Sequence, residues 1–290
     1  MPNSYLDLAQ TGKNHWWRYW LGMLLILIIW IYGGGLFALG LMKFVVRTGD
    51  NVTPFINYTT EKLQDMFAIL AVFLTLKWLH QRKLSTLISI EGKLSLMRLC
   101  LGAVVWLLLI CLVALRIWLI DSLGYKSIFV PRQWFVLFLV AIVMTTVQSA
   151  GEELIFRGYL LQGLNRFTRQ PIISAFLSSL VFAYWHFLNV INPFLIPKAE
   201  FLSYVLWGVF TSIVTLRDNR IELAIGVHTA TNLFFLLIVQ SADSPFTTAI
   251  LKNISNHENL TLAWVLLIMM LFYSIFFILP EKLSRKNTIS

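Results

Sequence analysis

Apolar stretches separated by short polar and often basic breaks run through the chain. Eight can be marked: Trp20 to Val46, Met66 to Leu79, Leu99 to Ile120, Trp134 to about Arg166, Ile172 to Val190, Phe201 to Leu216, Ile221 to Val239 and Leu260 to Leu279. Most reach the roughly 20 residues that a helix needs to cross about 30 Å of hydrocarbon. The second reaches that length only if its helix begins near Asn57, and the sixth is also short. Gly33, Gly34 and Gly35 interrupt the first, where close packing or a bend is expected. The first stretch is too long for a signal-peptide core and is read as a retained span; neither end carries a lipidation box. Without internal repeats or linkers, the pattern predicts a single membrane domain over residues 1–290. Its class is all-α: a polytopic membrane protein of about eight transmembrane helices.

Composition agrees. The chain is 58% hydrophobic and 13% charged, against roughly 45–50% and roughly 25% for soluble domains. With 22 Phe and 11 Trp it carries too much apolar surface for a disordered chain. The formal charge of +9 would suggest nucleic acid in a soluble protein, but no basic and aromatic run is long enough to form a binding stripe. No nucleic-acid partner is expected; the surrounding partner is membrane lipid. The basic residues instead report orientation. Lys13 and Arg18, then Arg82, Lys83, Lys93, Arg98, Arg166, Arg169, Arg217 and Arg220, then Lys282, Arg285 and Lys286 make thirteen on one side. Lys43, Arg47, Lys62, Lys126, Arg132, Lys198 and Lys252 make seven on the other. The positive-inside rule places both termini in the cytoplasm. Lys77 and Arg116 can snorkel, which leaves Arg157 as the intramembrane cation that needs a partner. Cys100 and Cys111 are too far apart on one helix for a disulfide.

Ionisable groups inside apolar segments are costly, about 2.5–3.5 kcal/mol each near the bilayer centre on insertion scales. Three clusters pay that cost: Gly151 to Gly158 with Glu152, Glu153 and Arg157; Phe182 to His186; and His228 to Asn232. Glu153 and Arg157 stand i,i+4 with the acid first, the favourable order for an ion pair. Glu152 is turned about 100° away, so the pair reads as a brace and Glu152 as the group free for chemistry. Phe182 with His186, and His228 with Asn232, each share a helix face. Counting from the turns puts Glu152, His186, His228 and Asn232 in one cavity on the cytoplasmic half, provided the long fourth helix extends out of the bilayer.

A carboxylate and an imidazole at one depth suit hydrolysis, deprotonating a water and later protonating a leaving amine. A second His with an Asn offers donors to an oxyanion. Two His and a carboxylate, here Glu152, His186 and His228, would equally serve as zinc ligands with one open position. Spacing alone leaves both mechanisms open.

The three clusters resemble the EExxxR, FxxxH and HxxxN motifs of the CAAX prenyl endopeptidase and bacteriocin-processing (CPBP or Abi) family of intramembrane proteases. Glu152, Glu153 and Arg157 match the first, Phe182 and His186 the second, His228 and Asn232 the third. Each motif is weak alone; all three in order, in successive segments, are specific. The resemblance covers residues 134–239, the motif-bearing core. It implies an eight-helix fold with a cavity opening to the cytoplasmic side, and hydrolysis of a peptide bond in a membrane-associated protein or peptide. It also implies roles: Glu152 with His186 activates water, His228 and Asn232 hold the oxyanion, and Glu153, Arg157 and Phe182 support them. A metal-free mechanism is favoured, with no cofactor, over the zinc alternative.

Other readings remain at this level. Glu152 can be a packing carboxylate, and the histidines and Asn232 interhelical glue. A non-catalytic membrane partner, such as a bacteriocin-immunity or scaffold protein, could keep the pocket to bind peptides. A proton-coupled transporter would use Glu, His and Arg as relays, although the chain shows no repeated halves. Tyr184 and Trp185 read as interface or core aromatics, and Glu200, Asp218 and Glu222 as solvated or interfacial. His15, His80 and His257 lie near helix ends with no partner evident, and Asn192, Pro193 and Pro197 mark a break after the fifth segment. A prokaryotic plasma membrane is the expected location.

Overall fold

The hydrophobic stretches fold as helical rods whose outer faces stay apolar. The computed structural model describes residues 4–47, 54–188, 197–240, 249–254 and 262–281; Asn192, Pro193, His257, Lys282, Arg285 and Lys286 lie outside them. Six helices are long and apolar enough to cross a membrane: α1 (Trp16–Phe44), α2 (Tyr58–His80), α3 (Leu96–Ile120), α4 (Pro131–Thr168), α6 (Lys198–Asp218) and α8 (Leu262–Glu281). Two shorter apolar helices, α5 (Pro171–Trp185) and α7 (Glu222–Leu237), complete the set among the described residues. Large apolar side chains face outward along them, with Leu36 70%, Met97 70% and Leu112 63% exposed. Only a hydrocarbon solvent makes such a surface favourable. The chain is an all-α polytopic membrane protein.

The helix that holds α2 begins at Pro54, which gives the second segment its spanning length. In α1 the helix widens to π geometry over Ile28–Gly33, and Gly34 lies directly against the Gln64 backbone of α2. Helix α7 runs through the middle, with every residue from Glu222 to Ala230 buried. It reaches backbone contact with α3 because Gly102 and Gly226 lack side chains: a Cβ on Gly102 would stand 2.7 Å from the Leu223 carbonyl oxygen.

Two apolar cores flank α7. One joins Tyr5, Leu6 and Leu8 of a short 3-10 helix (Tyr5–Thr11) to Ile26, Leu76, Ile155 and Phe182. The other joins Trp106 and Ile110 of α3 to Phe210, Val227, Phe234 and Phe272.

The ends of the bundle differ. At one, which may be called the basic end, the N-terminal segment closes the helices. The Tyr5 hydroxyl donates to the Leu87 carbonyl at 2.5 Å, and the Tyr5 N–H donates to Asn219 at 2.9 Å. Burial pushes the Tyr5 phenol well above its ordinary pKa. Arg98 pairs with Asp218, and Arg217 reaches Glu281 of α8 at 2.9 Å. Glu222, expected to be solvated, is fully buried there: it accepts from Arg220 and from the Ser95 N–H, both at 2.9 Å, and it holds the Arg220 pKa up. His80, expected to lack a partner, is also fully buried, with Nδ1 2.8 Å from the Lys13 carbonyl and Nε2 2.8 Å from the Tyr159 hydroxyl.

At the far end a small sheet caps the bundle, in the order β1 (Tyr125–Ser127), β3 (Leu251–Asn253), β2 (Val239–Gln240). Its β1–β3 pairing is antiparallel and its β2–β3 pairing parallel. Trp134 at the start of α4 donates to the Leu237 carbonyl at the end of α7, 2.8 Å away.

Candidate active site

Helix α4 carries the first motif where its geometry changes. Glu153 ends a regular α segment, and Leu154–Leu160 takes π geometry, a local widening that recurs at functional sites. Inside it, Arg157 Nη1 stands 3.2 Å from Glu153 Oε1, with both side chains at most 1% exposed. The guanidinium lies over the Phe182 ring, 4.2 Å from its centroid. Cation and ring face each other in a geometry that adds to the ion pair.

Glu153 has a second partner. The same Oε1 lies 2.8 Å from His228 Nδ1, so one buried carboxylate spans α4 and α7 and fixes the imidazole orientation. With Nδ1–H donating to Glu153, Nε2 of a neutral His228 is an acceptor and becomes a donor only as the imidazolium. Nε2 faces Glu152, 3.9 Å from its Oε2. Glu152 Oε1 accepts from Gln148 Nε2 at 3.0 Å, whereas Oε2 is buried without a hydrogen-bond partner among the described residues.

His186 caps the far end of α5. Its Nδ1 is 2.9 Å from the Phe182 carbonyl, and its ring stacks on Tyr204 at 4.1 Å and 23°. Phe182 underlies the site, meeting His186 edge-on at 4.6 Å and His228 at 6.2 Å.

Glu152, His186, His228 and Asn232 all line one cavity of about 620 Å³. One side of it is polar, with Tyr58, Glu61, Lys62, Thr145 and Gln148 from α2 and α4. The other is apolar, with Trp106, Ile110, Trp207, Val265 and Ile268 from α3, α6 and α8. The two histidines and Asn232 line the same cavity. The spacing-derived pair of Glu153 and Arg157 is present, but the imidazole nearest Glu152 is His228. No ion pair or hydrogen bond joins Glu152 to His186. Glu152, His186 and His228 do not converge as a ligand set either: among the described residues no three His, Cys, Asp or Glu side chains come together as a metal site.

The cavity wall reaches Tyr58 of α2 and Ser203 of α6 and passes the end of α7 to Gln240. It therefore lies toward the far end, remote from the described chain ends at Ser4 and Glu281. The four residues that the count from the turns brings to one cavity do line it together, with His186 at the end of the 15-residue α5.

Sequence reasoning missed Gln148 and Tyr204. Gln148 precedes Glu152 by one helical turn and was legible from that spacing; nothing local marks Tyr204, which reaches His186 only through the packing of α6 on α5.

The fold and its buried carboxylate, imidazole and guanidinium cluster define a class: polytopic helical membrane proteins with a polar site enclosed among their spans. Residues 132–234 match the family described as type II CAAX prenyl endopeptidase Rce1-like. The resemblance read from three motifs thus recurs over the segment that carries them. The chain is also 25% identical over 257 residues to the uncharacterized protein YyaK of Bacillus subtilis (strain 168), covering 84% of each chain. No solved structure matches it.

Proposed function

We propose that the protein is an intramembrane endopeptidase that hydrolyses a peptide bond of a membrane-associated protein or peptide without a metal. The observation that carries this reading is Glu152 in the cavity wall, its buried Oε2 without a hydrogen-bond partner among the described residues and 3.9 Å from His228 Nε2. Glu152 takes a proton from water as the oxygen adds to the carbonyl carbon. His228, as the imidazolium supported by Glu153, and Asn232 donate to the oxyanion. Collapse of the tetrahedral intermediate breaks the C–N bond, and the proton held by Glu152 passes to the leaving amine. His186, at the rim and stacked on Tyr204, orients the water or the incoming chain. Phe182 and Arg157 hold the two imidazoles and Glu153 in place. The bacterial relative supports a prokaryotic plasma membrane as the location.

Cleavage of a membrane-anchored partner is the test. A Glu152→Gln variant that folds and unfolds as the parent does should lose activity by about 10²–10⁴-fold, the usual share of a general base. Cells retaining the full biological effect with Glu152→Gln would sink the proteolytic reading and favour a non-catalytic peptide-binding role.

A further inference from the structure

The two adjacent carboxylates of α4 are held in different ways. Glu153 is held by charge, with Arg157 Nη1 3.2 Å and His228 Nδ1 2.8 Å from one of its oxygens. Glu152 has a neutral partner: the Gln148 amide nitrogen donates to its Oε1 at 3.0 Å. Its other oxygen, Oε2, is buried without a hydrogen-bond partner among the described residues and stands 3.9 Å from His228 Nε2. Gln148 and Glu152 both line the cavity.

The local sequence sets this contact up. Both residues lie in the regular α part of α4, Pro131–Glu153, where a spacing of four puts side chains on one face. The helix widens only after Glu153, so the register between amide and carboxylate is kept. Helix α2 backs this turn closely: a Cβ on Gly151 would stand 3.1 Å from the Ala68 Cβ. Two turns earlier than Glu152, the Thr145 and Tyr58 hydroxyls, 2.5 Å apart, tie the same two helices. The backbone under Gln148 and Glu152 is therefore fixed, and the side-chain torsions of Glu152 are left for the amide to settle.

A neutral amide suits a carboxylate that must take up a proton. A cationic partner favours the ionised form and makes the oxygen reluctant to accept one, whereas an amide N–H directs the group without carrying a full charge. A carboxylic acid protonated on one oxygen still accepts at the other. The bond from Gln148 to Oε1 can thus stand before and after proton transfer, and Oε2 is the oxygen that changes. We propose that Gln148 is a positioning residue for Glu152: by holding Oε1 it assigns to Oε2 the uptake of the proton from water and its return to the leaving amine. This rests on the proposed function, in which Glu152 is the general base.

Two variants of the full chain remove the bond. Gln148→Met keeps the side-chain length and drops the donor; Gln148→Asn keeps a donor one carbon short of Glu152, so that a folding defect in either leaves the other to be read. The probe is a quenched fluorescent peptide, selected from a library for cleavage by the parent protein in phospholipid vesicles. Each variant should lower kcat by about 10–10²-fold, the scale of a misplaced catalytic group, with KM within about twofold of the parent's. In a Glu152→Gln background, followed with enzyme in excess, the same substitutions should change the residual rate by less than about twofold, because no base is left to position. A raised KM with unchanged kcat would make Gln148 a substrate contact and overturn the proposal. An equal fall in both backgrounds would overturn it too, as the mark of a purely structural role. An inactive Glu152→Gln with fully active Gln148 variants defeats only this inference, whereas a fully active Glu152→Gln defeats the protease reading.

Discussion

Glu153 holds two partners from one oxygen, Arg157 within its own helix and His228 across the bundle. Removing one member of a buried ion pair leaves a charge with nothing to offset it, at about 3–5 kcal/mol, whereas removing both costs far less. Glu153→Gln and Arg157→Gln are each therefore expected to lower stability by about that amount. The double variant should lose less than the sum of the two, a coupling read from thermal unfolding in detergent by a double-mutant cycle. Additive losses would mean that Arg157 is held by the Phe182 ring and not by Glu153. The Glu153 to Arg157 contact was legible in the sequence because i,i+4 spacing is a property of one helix. The Glu153 to His228 contact was not, since it depends on where α7 sits against α4. For the same reason the motif spacing pointed to His186 as the partner of Glu152, while the packing brings His228 nearer.

Among elements, what the sequence conveyed well was the apolar length of each rod, because lipid demands it of every residue on the outer face. What it conveyed poorly was where rods touch. Three consecutive glycines in α1 suggested close packing, yet Gly35 has nothing within 4 Å of a built Cβ, while Gly34 meets the Gln64 backbone. Backbone contact between α3 and α7 is made at Gly102 and Gly226, each a lone glycine in an apolar run that no sequence pattern marks. Gly226→Ala would press a methyl into the Leu99 carbonyl and the Ala103 N–H of α3. Such overpacking against backbone costs about 1–3 kcal/mol. Gly35→Ala, on an open helix face, should gain about 0.5–1 kcal/mol. Opposite signs in thermal unfolding of the two variants are the expected result; equal losses would mean that α3 and α7 are not in backbone contact.

At the scale of the whole molecule, the charge asymmetry along the chain is what the positive-inside rule reads as orientation. Several basic-end residues are committed to the fold: Arg98 to Asp218, Arg220 to Glu91 and Glu222, Arg82 to Gln162. Others stand exposed, among them Lys83, Lys93, Arg166 and Arg169. Changing exposed charges moves folded-state stability by only about 0.5 kcal/mol, yet each counts fully when the chain is inserted. Replacing those four with Gln lowers the number of basic residues that the sequence assigns to the cytoplasmic side from thirteen to nine, against an unchanged seven. The bias that fixes orientation then nearly vanishes while the folded bundle is left intact. A C-terminal fluorescent-protein fusion, which matures only in the cytoplasm, should dim with the four substitutions, and the matching alkaline phosphatase fusion should become active. An unchanged reporter ratio would show that the paired arginines alone suffice to orient the chain.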